Sequence, residues 1–231
     1  METITRSYEK AAQMSLFRQV YLWMAMALAI TGFMAMLVAG SPVMLNAIFS
    51  SKITFFALII IELGVVMYMS ARIQKISFTT ATFMFIIYSL LNGATLASIF
   101  VLYTATSIAS TFFITAGTFA VMCIYGYLTK RDLTTVGNIC LMAVIGLIIA
   151  MLVNMFLKSS MMSLIISGIG VLVFVALTAY DTQKIKRLLT AEGMEVNEST
   201  KKIALLGSLT LYLDFVNLFL YLLRFLGDRR N

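Results

Sequence analysis

Long apolar stretches, separated by short polar or charged segments, make up most of the chain. No charged residue occurs between Arg18 and Lys52 or between Lys75 and Lys130. Because bilayer hydrocarbon is about 30 Å thick and a helix rises about 1.5 Å per residue, about 20 apolar residues form one span. The pattern therefore predicts seven membrane-spanning helices, at about 20–40, 53–71, 78–102, 108–128, 134–157, 161–183 and 203–226.

The segments between these spans are short, with one exception. The polar run at 103–107 predicts a turn between the third and fourth spans, whereas the polar stretch at 184–202 predicts a long loop before the last span. No internal repeat or composition shift marks a second domain. We therefore expect one integral membrane domain over 1–231, beginning with a short cytoplasmic segment at 1–18.

Composition supports this interpretation. Hydrophobic residues make up 61% of the chain and charged residues 12%, with a single proline, which is far from the composition of soluble globular domains. The sequence predicts an all-α membrane protein whose first partner is the lipid bilayer. The net charge of +7 is interpreted as loop charge near anionic headgroups, and no nucleic-acid partner is expected.

Lysine and arginine positions indicate the orientation. With a cytoplasmic N-terminus, the outer loops hold only Lys52 and Lys158, as the positive-inside rule favours. The tail with Arg224, Arg229 and Arg230 then lies on the opposite side, which leaves open a last helix that is re-entrant or returns inside. The first apolar run is too long for a signal-peptide core of roughly 7–15 residues and is expected to remain attached.

Small residues and the missing histidine narrow the chemistry. The pairs Gly93/Ala97 and Gly146/Ala150 have the spacing that lets helices approach closely.

The chain contains no histidine, which excludes Ser-His or Cys-His catalysis and His-ligated zinc. A response to pH between about 5 and 8 must then come from carboxylates. We predict no enzyme activity and no cofactor.

Three acids lie within or at the edge of the apolar spans: Glu62, Asp181 and Asp214. An ionisable group in the bilayer is costly unless it is paired or hydrated, and it usually marks an ion or proton route. These acids are the functional candidates, and the alternative is a structural polar clamp between helices. Glu62 completes an ion path or simply hydrogen-bonds to a neighbouring helix.

One face of the seventh span is polar. Its members follow one another at steps of three and four residues: Gly207, Thr210, Asp214, Asn217, Tyr221 and Arg224. This spacing places them on one helix face. Such a helix belongs inside a bundle, and Thr210, Asn217 and Tyr221 are candidates for an ion pathway.

Two aspartates and one arginine are expected at the cytoplasmic end of the spans. If Asp181 and Asp214 are close, mutual repulsion in a low dielectric opposes ionising both, so the pair is expected to share a proton. Arg72 keeps its charge and could pair with a carboxylate to close the site. Carboxylate oxygens also suit calcium, so the same pair is a candidate for transient calcium binding. A proton-gated cation pathway follows as a hypothesis.

The sequence around these aspartates resembles a known signature. Segments 180–185 (YDTQKI) and 211–226 (LYLDFVNLFLYLLRFL) resemble the Bax inhibitor family, also called transmembrane Bax-inhibitor-motif proteins. The resemblance implies six helices wrapped around a hydrophobic seventh and a pH-sensitive calcium leak. It further implies that Asp181 and Asp214 form the proton-sensing pair and that Arg72 acts as a latch. The short chain resembles a bacterial member, which predicts the inner (cytoplasmic) membrane.

Other functions compete with this interpretation. An intramembrane aspartyl protease also places aspartates on two neighbouring helices, but Asp214 lacks the glycines of a Gly-x-Gly-Asp motif. A non-conducting, stress-protective scaffold and a proton-coupled transporter of a small solute remain open. Ion selectivity, oligomeric state, the physiological trigger and protein partners are not indicated by the sequence.

Overall fold

A computed structural model describes residues 2–191 and 197–230, and it is helical almost throughout. The helices of this part of the chain are α1 (Glu2–Ala39), α2 (Pro42–Phe49), α3 (Lys52–Arg72), α4 (Phe78–Leu102), α5 (Ala105–Leu128), α6 (Thr134–Leu157), α7 (Ser160–Ala191) and α8 (Glu198–Leu226).

Seven of these helices, all except α2, are long and apolar enough to cross a membrane. They coincide with the seven predicted spans, so the predicted all-α membrane fold is confirmed. The last helix is the most buried of them. Of the 18 residues in its most apolar segment 67% are buried, against 11–44% in the corresponding segments of the other helices. This burial is compatible with the predicted central position of α8.

A short helix, α2, lies between the predicted spans at 20–40 and 53–71, where the sequence predicted no helix. Ser41 is extended, and its hydroxyl accepts the N–H of Met44 at 3.4 Å. Pro42 occupies the first helical turn, where its missing N–H costs nothing. Ser51 caps α3 in the same way by accepting the N–H of Thr54.

The long polar loop predicted at 184–202 is wrong for most of its length. Helix α7 continues to Ala191, and α8 already begins at Glu198. Apolar residues keep their helical spacing in the extension, since Ile185 and Leu189 are both buried. Lys202 pairs with Glu198 one turn away at 3.3 Å. Residues 192–196 of the predicted loop lie outside the described residues.

The chain divides into two compact units, the first formed by Met1–Leu102 with Arg187–Tyr212, the second by Tyr103–Lys186 with Leu213–Asn231. In the first unit α1 packs against α4. A Cβ atom added at Gly93 would lie 2.6 Å from the carbonyl oxygen of Thr31, so the predicted close approach at Gly93 is confirmed. The single domain predicted over 1–231 stays a prediction.

In the second unit α7 runs antiparallel to the end of α8. The ring of Phe174 stacks on that of Tyr221 at 5.6 Å, and Gly170 leaves room for the Tyr221 ring. On α8, the Phe215 ring meets those of Phe112 and Phe119 of α5 at 5.5 and 5.4 Å. These aromatic contacts set the register of α8 against α5 and α7.

The C-terminal tail is tied to the turn between α4 and α5. The N–H of Thr104 donates to the carbonyl of Asp228 at 3.2 Å, and the N–H of Asp228 donates to Ser107 Oγ at 2.9 Å. Helix α8 is continuous up to Leu226, which does not support a re-entrant last helix. The tail and the α4–α5 turn therefore share one membrane face.

Candidate functional site

The structure brings Asp181 of α7 and Asp214 of α8 together inside the second unit. Their carboxyl groups lie within hydrogen-bonding reach and interact electrostatically. Both are buried, with 8% and 5% of their surfaces exposed. Their meeting follows from the helix register: from the Phe174–Tyr221 contact, seven residues along each helix, about two turns, lead to Asp181 and Asp214.

One oxygen of this pair has no partner. Oδ2 of Asp214 is buried and accepts no hydrogen bond from the residues that the structure describes. The hydroxyls nearest to Asp181 along α7 are not free to help, because Thr178 donates to the Phe174 carbonyl at 2.7 Å and Thr182 to the Thr178 carbonyl at 2.8 Å.

Such an arrangement has a simple chemical consequence. Two adjacent buried carboxylates cannot both stay ionised at low cost, and an unsatisfied buried acceptor costs about 1–3 kcal/mol, more when it is charged. A proton or a cation at the pair relieves both penalties. Lys184 lies exposed one helical turn beyond Asp181, and its positive charge attracts the Asp181 carboxylate.

Helix α7 is fixed in place immediately after Asp181. Gln183 accepts the N–H of Leu133 at 3.0 Å and donates to the carbonyl of Arg131 at 2.8 Å. One turn later Lys186 donates to the carbonyl of Tyr127 at 2.7 Å, with its ammonium 4.5 Å from the centre of the Tyr127 ring. The last turn of α5 and the α5–α6 loop together hold the register of the helix that carries Asp181.

Glu62 lies elsewhere, in the first unit, where both its oxygens are satisfied. Oε1 accepts from Thr95 Oγ1 at 2.9 Å and Oε2 from Asn92 Nδ2 at 3.2 Å. The network continues to α8 and α1, because the Tyr212 hydroxyl donates to Asn92 Oδ1 at 3.0 Å and lies 2.7 Å from Thr31 Oγ1. These contacts favour the expected hydrogen bond to a neighbouring helix, and the ion-path role of Glu62 stays a prediction.

The remaining predicted site residues are also placed. Thr210 and Asn217 donate to carbonyls one turn back on α8, at Leu206 and Leu213, at 3.1 and 2.8 Å. Tyr221 is buried, and its hydroxyl lies 3.8 Å from Met151 Sδ. Arg72 is exposed in the last turn of α3, in the first unit. Their roles as pathway residues and latch stay predictions.

Sequence reasoning missed Gln183 and Tyr212. A glutamine next to a charged segment is typical of a solvated helix end, so only its position two residues after Asp181 could have drawn attention. Tyr212 lies outside the predicted polar face of α8. Because its surroundings are otherwise apolar, its hydroxyl needs a partner, and this need was the available signal.

No group of three or more His, Cys, Asp or Glu side chains that could hold a metal ion occurs within residues 14–191 and 197–230. The aspartate pair therefore offers two carboxyl groups and no further acidic ligand among the described residues. Transient calcium binding by Asp181 and Asp214 stays a prediction.

Comparison with known proteins identifies similar chains. The family described as "Inhibitor of apoptosis-promoting Bax1" matches residues 13–231. The inner membrane protein YbhL of Escherichia coli K12 is 48% identical over 221 residues, covering 96% of this chain and 94% of YbhL. An uncharacterized protein of Borreliella burgdorferi is 46% identical over 213 residues, covering 92% and 91% of the two chains.

A third relative, the uncharacterized protein RP147 of Rickettsia prowazekii, is 44% identical over 215 residues, covering 92% of this chain and 89% of RP147. These matches extend over nearly the whole chain and over nearly the whole of each relative. The resemblance found in segments 180–185 and 211–226 is thereby confirmed.

Proposed function

Because the chain belongs to the Bax inhibitor family, we propose that it is a pH-sensitive calcium leak of a bacterial inner membrane, with its N-terminus in the cytoplasm. The observation that carries this proposal is the contact between the buried carboxyl groups of Asp181 and Asp214. The inner-membrane location of YbhL supports the compartment, and the distribution of Lys and Arg supports the orientation.

The gate is the proton shared by the two aspartates. When both carboxyl groups are ionised, the pair attracts the permanent charge of Arg72, which acts as a latch and holds the path closed. A proton on the pair weakens this attraction and releases the latch. Acid therefore opens the path, and the unpartnered Oδ2 of Asp214 supports this role because a proton or a cation can satisfy it.

Calcium suits the same chemistry, since it prefers oxygen ligands from carboxylates and carbonyls. The pair that shares one proton keeps one negative charge, which attracts the ion, and the small number of acidic ligands keeps its residence short, as conduction requires. The proposed path continues along the polar face of α8, past Thr210, Asn217 and Tyr221, with Glu62 as a further acidic position. No catalytic residue is part of this proposal.

A second candidate function is a non-conducting membrane scaffold. The observation that favours it is the hydrogen bonding of Glu62, each of whose oxygens accepts from one side chain, Thr95 or Asn92. An acid bonded in this way acts as a clamp between helices. If Asp181 and Asp214 do the same by sharing a permanent proton, the protein conducts nothing.

Calcium entry into liposomes that contain the purified chain and a calcium-sensitive dye distinguishes the candidates. A leak predicts entry that needs no proton gradient and is faster at about pH 6 than at about pH 8, the range that an aspartate pair replacing histidine must cover. Entry that stops when a protonophore collapses the proton gradient would identify a proton-coupled carrier. No entry at any pH, with folding verified by circular dichroism, would overturn the proposal in favour of the scaffold.

A further inference from the structure

Helices α6 and α7 of the second unit are separated by an apolar groove of about 560 Å³. Small residues of α6, namely Ala143, Gly146 and Ala150, line one wall, and Met162, Ile165 and Ile169 of α7 line the other. The volume lies within the range of about 300–1,000 Å³ that is usual for ligand pockets. We propose that this groove binds one acyl chain of an anionic phospholipid, with the headgroup at Lys158.

The small residues of α6 leave space here. A Cβ atom added at Gly146 would meet nothing within 4 Å, whereas one at Gly170 would come within 2.6 Å of the Tyr221 ring. The predicted close helix approach at Gly146/Ala150 is therefore wrong at Gly146, whereas Ala150 packs against the core. The same small side chains form a concave wall, at a membrane depth where only apolar partners are available.

The depth of the groove matches one leaflet. It extends from Ser159, in the turn between α6 and α7, to Ile169. Ten helical residues span about 15 Å, which is half of the roughly 30 Å of bilayer hydrocarbon. Leu147 and Ile166 form a buried floor, whereas Ile165 and Ile169 are exposed at the rim. An extended acyl chain that descends from the headgroup region has this length and polarity.

The mouth of the groove is positively charged. Lys158 is exposed and adopts a left-handed backbone conformation with φ 51°. The turn is held by Asn154, whose carbonyl accepts the N–H of Lys158 at 2.8 Å and whose side chain accepts the N–H of Ser159 at 3.1 Å. No acidic residue occurs in segment 150–170. A lysine at the membrane surface attracts anionic lipid headgroups, so charge selects the lipid and the groove holds its chain.

Photo-crosslinking of the full-length protein in nanodiscs tests this assignment. The probe is phosphatidylglycerol with a diazirine near the middle of one acyl chain, and labelled peptides are located by mass spectrometry. We expect labelling concentrated in residues 143–150 and 159–169. Unlabelled phosphatidylglycerol should compete about fivefold better than zwitterionic phosphatidylethanolamine, the factor that one cation near an anionic headgroup contributes.

Two groove variants and a matched control make the test specific. Gly146→Leu and Ala150→Leu fill the groove and should abolish the concentrated labelling. Gly117→Leu is the control, because Gly117 also has no neighbour within 4 Å of an added Cβ but lies on α5, away from the groove. Lys158→Gln should retain labelling of the groove while losing the preference for the anionic competitor.

Two labelling results would overturn the inference. Labelling spread evenly over all lipid-facing helices, or unchanged in a folded Gly146→Leu variant, shows ordinary surrounding lipid and no chain site. A preference for phosphatidylglycerol that persists in Lys158→Gln shows that Lys158 does not bind the headgroup. None of these readouts depends on calcium flux, so the inference stands or falls independently of the proposed leak.

Discussion

The side-chain oxygen of Gln183 accepts the backbone N–H of Leu133 at 3.0 Å, two residues after the aspartate that α7 contributes to the buried pair. The same side chain donates to the carbonyl of Arg131. One glutamine therefore provides partners for two backbone groups of the α5–α6 loop. The axial position of Asp181 depends on this connection.

Replacing Gln183 tests the connection. In Gln183→Leu the N–H of Leu133 and the carbonyl of Arg131 lose their partners, and leaving a buried group unsatisfied costs about 1–3 kcal/mol. We expect a lower midpoint of thermal unfolding in detergent. Leu188→Ala, at an exposed position of the same helix, is the control and should change the midpoint little. Equal midpoints for Gln183→Leu and the parent would contradict the role assigned to Gln183.

The network around Tyr212 gives a second prediction. Tyr212→Phe keeps the ring, which packs edge-on against Phe85 at 5.9 Å, but removes the hydroxyl shared with Thr31 and Asn92. We expect a loss of about 0.5–1.5 kcal/mol in the free energy of unfolding.

A double-mutant cycle separates the hydrogen bond from packing. Tyr212→Phe combined with Thr31→Val should show a coupling energy, because the two hydroxyl oxygens lie 2.7 Å apart and Thr31 can donate to Tyr212 as well as to the Ser89 carbonyl. The pair Tyr212→Phe and Thr82→Val should show none, since Thr82 donates to the Phe78 carbonyl of its own helix. Equal coupling in both cycles would mean that the Tyr212–Thr31 bond contributes nothing specific.

Gly93 and Gly146 are each followed by an alanine four residues later, but replacing them with alanine should change the stability in opposite directions. An alanine at Gly93 would place its Cβ atom 2.7 Å from Cβ of Met34 and closer still to the Thr31 carbonyl. Overpacking of this kind costs about 1–3 kcal/mol. At Gly146 the added methyl meets nothing, and alanine is the better helix former by roughly 0.5–1 kcal/mol. Thermal unfolding of the two variants should give shifts of opposite sign, and a shared sign would contradict the described packing.

The tail contact can be tested at Asp228, because its backbone, and not its carboxylate, bonds the α4–α5 turn. Asp228→Pro removes the N–H that Ser107 accepts, whereas Asp228→Ala retains it. Hydrogen exchange across residues 103–108 should be faster in the proline variant and unchanged in the alanine variant. If both variants behave like the parent, the tail is not held by these bonds.

Much of the fold was predictable because charges mark the ends of the spans. Arg72 closes α3, and Lys130 lies two residues after the end of α5, so these boundaries agree with the prediction to within a residue or two. Helix α2 was missed because it has only eight residues and depends on local capping. The extension of α7 was missed because overall polarity concealed the helical spacing of Ile185 and Leu189.

The site was predictable in part for a different reason. An acid within an apolar span is conspicuous, so Glu62, Asp181 and Asp214 could be named from the sequence alone. The contact between the two aspartates requires a register, and the register is set by Gly170, which admits the ring of Tyr221. The sequence pattern of one helix does not show which residue of another helix it will contact, so this register could not be predicted.

The proton shared by Asp181 and Asp214 is the central claim, and calcium entry into liposomes at about pH 6 and about pH 8 tests it most directly in four chains. These are the parent, Asp181→Asn, Asp214→Asn, and Asp132→Asn as a control that removes a carboxylate outside the pair, one that accepts the N–H of Thr134 at the start of α6. Asparagine imitates the protonated carboxyl in shape and charge.

The account predicts faster entry at the acidic pH in the parent and in Asp132→Asn, and entry that no longer depends on pH in the other two. If Asp181→Asn and Asp214→Asn retain the parent's ratio between the two pH values, the gate is not this pair.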